Sequence, residues 1–96
     1  MSSGVIMVVK IVVRGRNNYE RFTLFSWVLE IKGIIEQETG EPVEVVVVDA
    51  ECEEPELYVE GYYVGSGLPG EEGYLIEIIK SALIRIRSSQ TFEHVQ

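Results

Sequence analysis

Two runs rich in β-branched residues, separated by a segment of helical periodicity, constrain the fold of this chain more than any other feature. The runs are VIMVVKIVV (Val5 to Val13) and VEVVVVD (Val43 to Asp49). β-branched side chains pack well on a pleated surface, so both runs predict strands. From Tyr19 to Thr39, polar or small residues recur at intervals of three or four, which is typical of a helix. A strand, a helix and a second strand predict a right-handed parallel βαβ unit.

Both predicted strands are apolar at nearly every position. This pattern predicts that each strand is buried on both faces, that the first is central, and that the second is not an exposed edge. The helices would then cover the two faces of the sheet. Gly40, followed by Pro42, predicts the end of the first helix.

The second half of the chain predicts a hairpin and a final helix. Two short strands over Glu56–Glu60 and Tyr62–Val64 would turn at Gly61, because glycine readily adopts positive φ. A glycine-rich bend leads to a helix over Glu71–Arg87, and a flexible tail is expected from residue 88 to residue 96. The predicted fold class is therefore a β-α-β-β-β-α sandwich, with a four-stranded mixed sheet and two main helices.

The length and composition predict one soluble globular domain. A chain of 96 residues has room for one modest core, expected over about residues 5 to 87, and its apolar fraction of 46% favours folding. Neither apolar run approaches the roughly 18 to 20 residues of a membrane span. The N-terminal MSSG lacks the features of a signal peptide, so a cytoplasmic location is expected. The abundance of valine, isoleucine and glutamate favours a thermophilic source.

The net charge of −8 is unevenly distributed along the chain. The segment from Gly33 to Glu72 contains twelve acidic residues and no lysine or arginine. This distribution argues against nucleic-acid binding, which depends on cationic neutralisation of phosphates. Two interpretations stay open: a solvated acidic surface, or an acidic face that docks a basic partner or weakly holds divalent cations.

Cysteine and histidine are too scarce for several kinds of chemistry. Cys52 is the only cysteine and His94 the only histidine. No intramolecular disulfide can form, and neither a metal site nor a cofactor is expected.

The segment from Pro55 onward carries a resemblance to a known family. Pro55 precedes the third strand, Gly61 turns the hairpin, Gly65-Ser66-Gly67 forms a bend, and the last helix follows. This order resembles the thioredoxin-like fold, and its small glutaredoxin-like members most closely. In that family a proline, usually with a cis peptide bond, starts the third strand beside the active site. The resemblance thus implies a cis bond at Pro55; an ordinary trans proline entering a strand is the alternative.

The chain departs from that family in two respects. The helix that usually links the βαβ unit to the hairpin has no room in Ala50 to Glu54. The family's CxxC motif lies after the first strand, and the corresponding stretch here, Arg14 to Arg21, reads RGRNNYER. Dithiol exchange needs an attacking and a resolving sulfur, so a conventional oxidoreductase activity is excluded for a single chain with one cysteine.

Two candidate sites remain. Cys52 lies three residues before Pro55, but its glutamate neighbours disfavour the thiolate. It is either an incidental thiol or a group that forms a mixed disulfide, an intersubunit bridge or a metal contact; the corresponding function would be a single-thiol enzyme or redox sensor. Alternatively, an anion-binding regulator could use residues near the start of the first helix. These are Arg14, Arg16, Asn17, Asn18 and Arg21. The competing interpretation is that the arginines pair with the protein's own acids, such as Glu51 to Glu56.

The first helix carries more apolar surface than a helix on one sheet face needs. Either it is deeply embedded, or a second subunit covers part of it, with Leu24, Trp27, Val28 and Ile31 at the contact. The sequence therefore favours a redox-inactive, thioredoxin-like binding or assembly module of unknown specific role, which could form a homodimer or bind another protein.

Overall fold

The computed structural model describes the backbone of residues 8–95, and the side chains of these residues except Glu72 and residues 89–95. The described elements follow the predicted β-α-β-β-β-α order. They are β1 (Val9–Gly15), α1 (Tyr19–Thr39), β2 (Val43–Asp49), β3 (Glu56–Val59), β4 (Tyr62–Ser66) and α2 (Glu72–Val95). The bounds of α1 and β2 are those predicted from the sequence, whereas the start predicted for the first strand lies outside the described residues.

The four strands form one mixed sheet in the order β2-β1-β3-β4. β1 pairs in parallel with β2 over its whole length, from Val9 opposite Val43 to Gly15 opposite Asp49. It pairs antiparallel with β3, and β3 pairs antiparallel with β4. β1 is therefore central, as predicted. The prediction that β2 is not an edge strand is wrong: the chain places β3 and β4 on the far side of β1, so β1 is the only described neighbour of β2.

Both helices pack on the same face of the sheet. α1 contacts β1 and β2, α2 contacts β3 and β4, and the two helices contact each other. Burial alternates along β1 accordingly: Val9, Ile11 and Val13 are fully buried, whereas Lys10 and Arg14 are exposed. The prediction that the helices cover both faces is thus wrong. The connection from β2 to β3 is too short to carry a helix to the second face.

The second face of the sheet carries no helix in the described part of the chain, and we refer to it as the open face. An apolar stripe crosses it from strand to strand through Val46, Val12, Tyr58 and Tyr63, which are neighbours in the strand registers. The rings of Tyr58 and Tyr63 meet edge to face with centroids 5.7 Å apart, a favourable arrangement for aromatic pairs. The open face is consequently partly apolar although it borders solvent.

The ends of α1 follow from local side-chain chemistry. The Oδ1 atom of Asn18 accepts a hydrogen bond of 2.9 Å from the backbone N–H of Arg21, which satisfies one free donor of the first turn. At the other end, Gly40 has φ of 73° and donates its N–H to Glu36 O at 2.8 Å. This is the left-handed conformation that glycine adopts readily, so the predicted helix stop is confirmed.

Three residues expected at a helical dimer contact belong to the core of the single chain. Leu24, Val28 and Ile31 are at most 3% exposed and face the sheet, and Trp27 packs partly against the same core. These three side chains are unavailable to a partner. α1 exposes Phe22 and Leu29 instead. A helix that is apolar on most sides does not reveal from its period which apolar residues face the core.

α2 continues to Val95, past its predicted end at Arg87. No glycine or proline follows Gly73, so no residue type in this segment breaks the helix. The Nζ atom of Lys80 on α2 lies 2.7 Å from Glu38 Oε1 on α1, which ties the helices together. The mobility predicted for residues 88–96 stays a prediction. Neither described helix is apolar over a length sufficient to cross a bilayer.

The connection from β2 to β3 crosses the end of β1, because these two strands lie on opposite sides of it. Pro55 is fully buried there, and a Cβ atom on Gly15 would lie 3.1 Å from Pro55 Cα. Gly67 N–H donates to Pro55 O at 2.8 Å, which joins the bend after β4 to the same place. The described chain contains no cis peptide bond, so Pro55 is trans and the cis geometry implied by the resemblance is wrong.

We expect Gly15→Ala to destabilise the fold, because its methyl group would force the crossing chain away from β1. Overpacking of this kind costs roughly 1–3 kcal/mol. Gly33→Ala is the matched control: nothing lies within 4 Å of its Cβ position in the middle of α1. There alanine should add about 0.5–1 kcal/mol of stability through helix propensity. Chemical denaturation of both variants measures the two effects; equal changes would contradict the close approach at Gly15.

The Glu36 carboxylate links α1 to the start of β2 and should make stability depend on pH. It accepts a hydrogen bond of 2.9 Å from Val43 N–H and one of 3.2 Å from Lys32 Nζ. The Val43 N–H first, and then Lys32, lower the pKa of Glu36 below its ordinary value of 4.5. The ionised carboxylate therefore stabilises the fold above pH 4.5, and this contribution disappears as the pH falls through the lower folded-state pKa.

Glu36→Gln should accordingly be less stable than the unaltered chain at pH 7, and the difference should shrink as the pH falls below 4.5. Thermal unfolding of both proteins across this range measures the difference. A gap that does not change with pH would show that the charge of Glu36 does not contribute.

Candidate functional site

The predicted site residues lie near the carboxyl ends of the two parallel strands. Gly15 ends β1, Asp49 ends β2, and α1 begins at Tyr19. In α/β proteins, ligands commonly bind just outside the carboxyl ends of parallel strands. Pro55, on the connection from β2 to β3, lies against Gly15 at the same end of β1.

Arg21 occupies the centre of this region, and its contacts are internal. Its Nη1 donates to Gly15 O at 3.1 Å and to a carboxylate oxygen of Asp49, and its Nη2 donates to Asn17 Oδ1 at 3.2 Å. The Arg21 side chain is only 13% exposed, whereas that of Asp49 is 87% exposed. The guanidinium thus joins the ends of both parallel strands to the loop before α1.

The two asparagines also serve the local backbone. Asn18 caps α1 with its side chain, and its N–H donates to Arg16 O at 2.8 Å. Asn17 accepts from Arg21. The side-chain oxygens of both asparagines and the Arg21 guanidinium therefore bind groups of the chain itself.

Arg14 lies on the other side of the sheet from the helices, on the open face. Its Nη1 donates to Glu56 Oε1 at 2.8 Å, and the hydroxyl of Tyr58 donates to the same oxygen at 3.0 Å. These hydrogen bonds to Glu56 raise the pKa of the Arg14 guanidinium and the pKa of the Tyr58 hydroxyl above their ordinary values. Arg14 and Arg21 do not converge on one site. Arg14 pairs with one of the acids expected from the sequence.

Arg16 is exposed beside a shallow depression of about 340 Å³. The depression is lined by Arg16, Asn17, Asp49, Ala50 and Glu51. Two carboxylates and one guanidinium give its walls no excess of positive charge, which an anion site requires.

Cys52 and Pro55 lie on the same connection but have different surroundings. Pro55 is fully buried, whereas Cys52 is half-buried. The Cys52 Sγ lies 3.9 Å from Arg14 O, a weak contact in which the thiol donates. The described residues contain no group of three or more histidine, cysteine or acidic side chains that could hold a metal ion.

Two acids organise this region, Asp49 and Glu56; sequence reasoning missed Asp49, whereas Glu56 lies within the range Glu51 to Glu56 that was expected to pair with the arginines. The end of β2 and the start of β3 bring them to Arg21 and Arg14. Parallel pairing of the first two strands places Asp49 opposite Gly15 in register, and that signal could have identified its proximity to the helix start. Comparison with protein-family models, curated proteins and solved structures found no match to this chain.

We expect Arg21→Met to destabilise the fold by about 1–2 kcal/mol, because it leaves the Gly15 carbonyl and Asn17 without their donor. The exposed carboxylate of Asp49 adds little to this cost. Arg16→Met removes the same charge at an exposed position nearby and should change stability by at most about 0.5 kcal/mol. Urea denaturation of both variants measures the difference, and equal losses would show that Arg21 has no special structural role.

Proposed function

We propose that this protein is a non-catalytic binding or assembly module on a thioredoxin-like scaffold that has lost its redox site. The element order, the sheet order β2-β1-β3-β4 and the position of Pro55 at the entry to β3 support the thioredoxin-like relationship. Pro55 lies against Gly15, and Gly15 is three residues before Asn18, the N-cap of α1. This is the region in which the family carries its reactive cysteines.

The observation that carries the proposal is the occupancy of that region by Arg21. Its guanidinium binds Gly15 O, Asp49 and Asn17 where a redox protein would present a thiolate. The sulfur of Cys52, on the β2–β3 connection, is nearby and contacts the carbonyl of Arg14 in β1. Disulfide exchange proceeds through a mixed disulfide that a second thiol must resolve, and the chain has no second thiol.

The exposed apolar surface supports a binding role. The stripe through Val46, Val12, Tyr58 and Tyr63 crosses the whole open face, and Tyr63 is more than half exposed. Apolar side chains that form a continuous exposed patch are typical of interaction surfaces.

The two alternative functions have less support. A regulator that binds anions through Arg14, Arg16 and Arg21 would first have to break the ion pairs with Glu56 and Asp49. A single-thiol enzyme or sensor would use a half-buried sulfur whose neighbours in the sequence are glutamates. The cytoplasmic location and thermophilic source expected from composition stay predictions.

A disulfide-exchange assay tests the proposal. With dithiothreitol as reductant and insulin as substrate, the purified chain should not accelerate disulfide reduction, and Cys52→Ser should behave like the unaltered protein. Acceleration that depends on Cys52 would contradict a non-catalytic function. In addition, iodoacetamide should label Cys52 more slowly in the folded chain than in urea, because the folded chain half-buries the thiol. Faster labelling of the folded chain would favour the single-thiol alternative.

A further inference from the structure

The outer edge of β2 presents backbone groups that point away from the sheet. Val9 N–H donates to Pro42 O at 2.9 Å, and Ala50 N–H donates to Gly15 O at 3.0 Å. Backbone groups alternate in direction along a strand, so the even-numbered residues of β2 bind β1. The odd-numbered residues, Val45 and Val47 among them, direct their N–H and C=O groups outward. No strand within residues 8–95 pairs with this edge.

The middle of this edge, at Val45 and Val47, lacks the features that usually prevent strands from associating, whereas Glu36 covers the N–H of Val43 at one end. β2 contains five valines, Glu44 and Asp49, without proline, lysine or glycine, and its register with β1 is unbroken. Natural edge strands are commonly interrupted by such residues or by bulges. β4, at the opposite edge, has a register shift in its pairing with β3. The contrast indicates that the edge of β2 is suited to pairing.

Apolar side chains flank this edge on both faces of the sheet. α1 runs antiparallel to β2, since Arg21 binds Asp49 at one end and Glu36 binds Val43 at the other. The helix positions between these contacts at intervals of three or four include Phe25, which is half-buried, and Leu29, which is 45% exposed. On the open face, Val48 is 39% exposed.

We propose that the edge of β2 binds the same edge of a second copy of this chain, antiparallel, with a twofold axis at Val46. This inference rests on the proposed assembly function and names its partner. The two sheets join into one continuous sheet, the apolar stripes of the two open faces become continuous, and the α1 helices lie side by side above the junction.

The proposed register satisfies the outward backbone groups. Val45 lies opposite the partner's Val47, and Val47 lies opposite the partner's Val45. All four residues direct their backbone groups outward, so each of these pairs exchanges two hydrogen bonds. Val46 lies opposite the partner's Val46 on the axis, as a non-hydrogen-bonded pair. This register overlaps the whole strand; the N–H of Val43 keeps its hydrogen bond to Glu36, so the bonds between the two strands are those of Val45 and Val47.

The charges at the junction are also complementary. Glu44 lies opposite the partner's Val48, so no like charges face each other across the strands. Asp49, which is paired with Arg21, lies opposite the partner's Val43. The N–H of Val43 donates to Glu36, which is paired with Lys32. One neutral ion pair thus meets another at each end, but Glu44 of each copy adds a negative charge at the junction, and each copy carries a net charge of −8. Added salt should therefore strengthen the association, because it screens the remaining repulsion.

A cysteine on the axis tests the proposed geometry. In the full chain with Cys52→Ser, Val46→Cys should form a disulfide-linked dimer in a glutathione redox buffer. Non-hydrogen-bonded antiparallel pairs have Cα atoms about 4.5 Å apart, within disulfide range. Val12→Cys in the same background is the matched control, because Val12 lies beside Val46 on the open face. In the proposed dimer, residue 12 of one copy and residue 12 of the other are three strand spacings apart, about 14 Å, which is too far for a disulfide. Only the first variant should crosslink.

A charge reversal tests the register independently of any disulfide. Val48→Glu faces the partner's Glu44 and should weaken dimerisation roughly tenfold, because the twofold axis repeats the repulsive pair. Adding Glu44→Lys should restore the affinity. Ile84→Glu, on an exposed position of α2, is the control for added charge and should leave the affinity unchanged. Sedimentation analysis at several protein concentrations measures all four proteins.

A monomer at all concentrations, or a dimer in which neither the crosslink nor the charge reversal behaves as expected, overturns this inference. The proposed function fails on a different result, namely Cys52-dependent disulfide exchange. A monomer without exchange activity would therefore remove the second copy as partner and leave a binding module for another protein.

Discussion

The short connection between β2 and β3 determines much of this fold. It must cross the end of β1 to bring β3 to the other side, and it can do so closely because Gly15 has no side chain beneath Pro55. With no room for a helix, the connection leaves the open face uncovered. The crossing also leaves β2 with a neighbour on one side only within the described chain. The fold thus keeps its core on one face and presents backbone and apolar groups elsewhere.

The uneven charge of the sequence has a structural counterpart. The acid-rich segment from Gly33 to Glu72 lies between two segments that carry all the lysines and arginines. The described ion pairs join the two kinds of segment, and their acidic members all come from the acid-rich one. The pairs are Arg14–Glu56, Arg21–Asp49, Lys32–Glu36, Lys80–Glu38 and Arg87–Glu41. Individually such exposed pairs contribute little, but together they favour this arrangement of segments over others.

The sequence predicted local features well. The bounds of α1 and β2 follow from helical periodicity and from the valine run. The hairpin turn has positive φ at Gly61, as expected, and also at Glu60, which was not predicted. These features depend on residues close in the chain. The predictions that β2 is internal and that the helices cover both faces were wrong, because both depend on which strands pair with each other. A run of valines has the same continuous apolar pattern in a central strand and in an edge strand.

The candidate site was predictable in position but not in its contacts. The stretch from Arg14 to Arg21 lies at the strand ends, as the comparison of element order implied. Alternation along β1 sends Arg14 to the open face, whereas Arg21, on α1, reaches Asp49 through the register of β1 with β2. Such long-range contacts join Arg14 and Arg21 to acids of the same chain, and a single sequence does not contain them explicitly.

Amide hydrogen exchange, followed residue by residue along β2 at increasing protein concentration, tests the central claim most directly. The N–H of Val46 points towards β1 and should exchange slowly at every concentration. The N–H groups of Val45 and Val47 point outward; they should exchange rapidly in dilute solution and become protected as copies associate. Rapid exchange of Val45 and Val47 at all concentrations would contradict strand pairing between copies, and rapid exchange of Val46 would contradict the sheet topology itself.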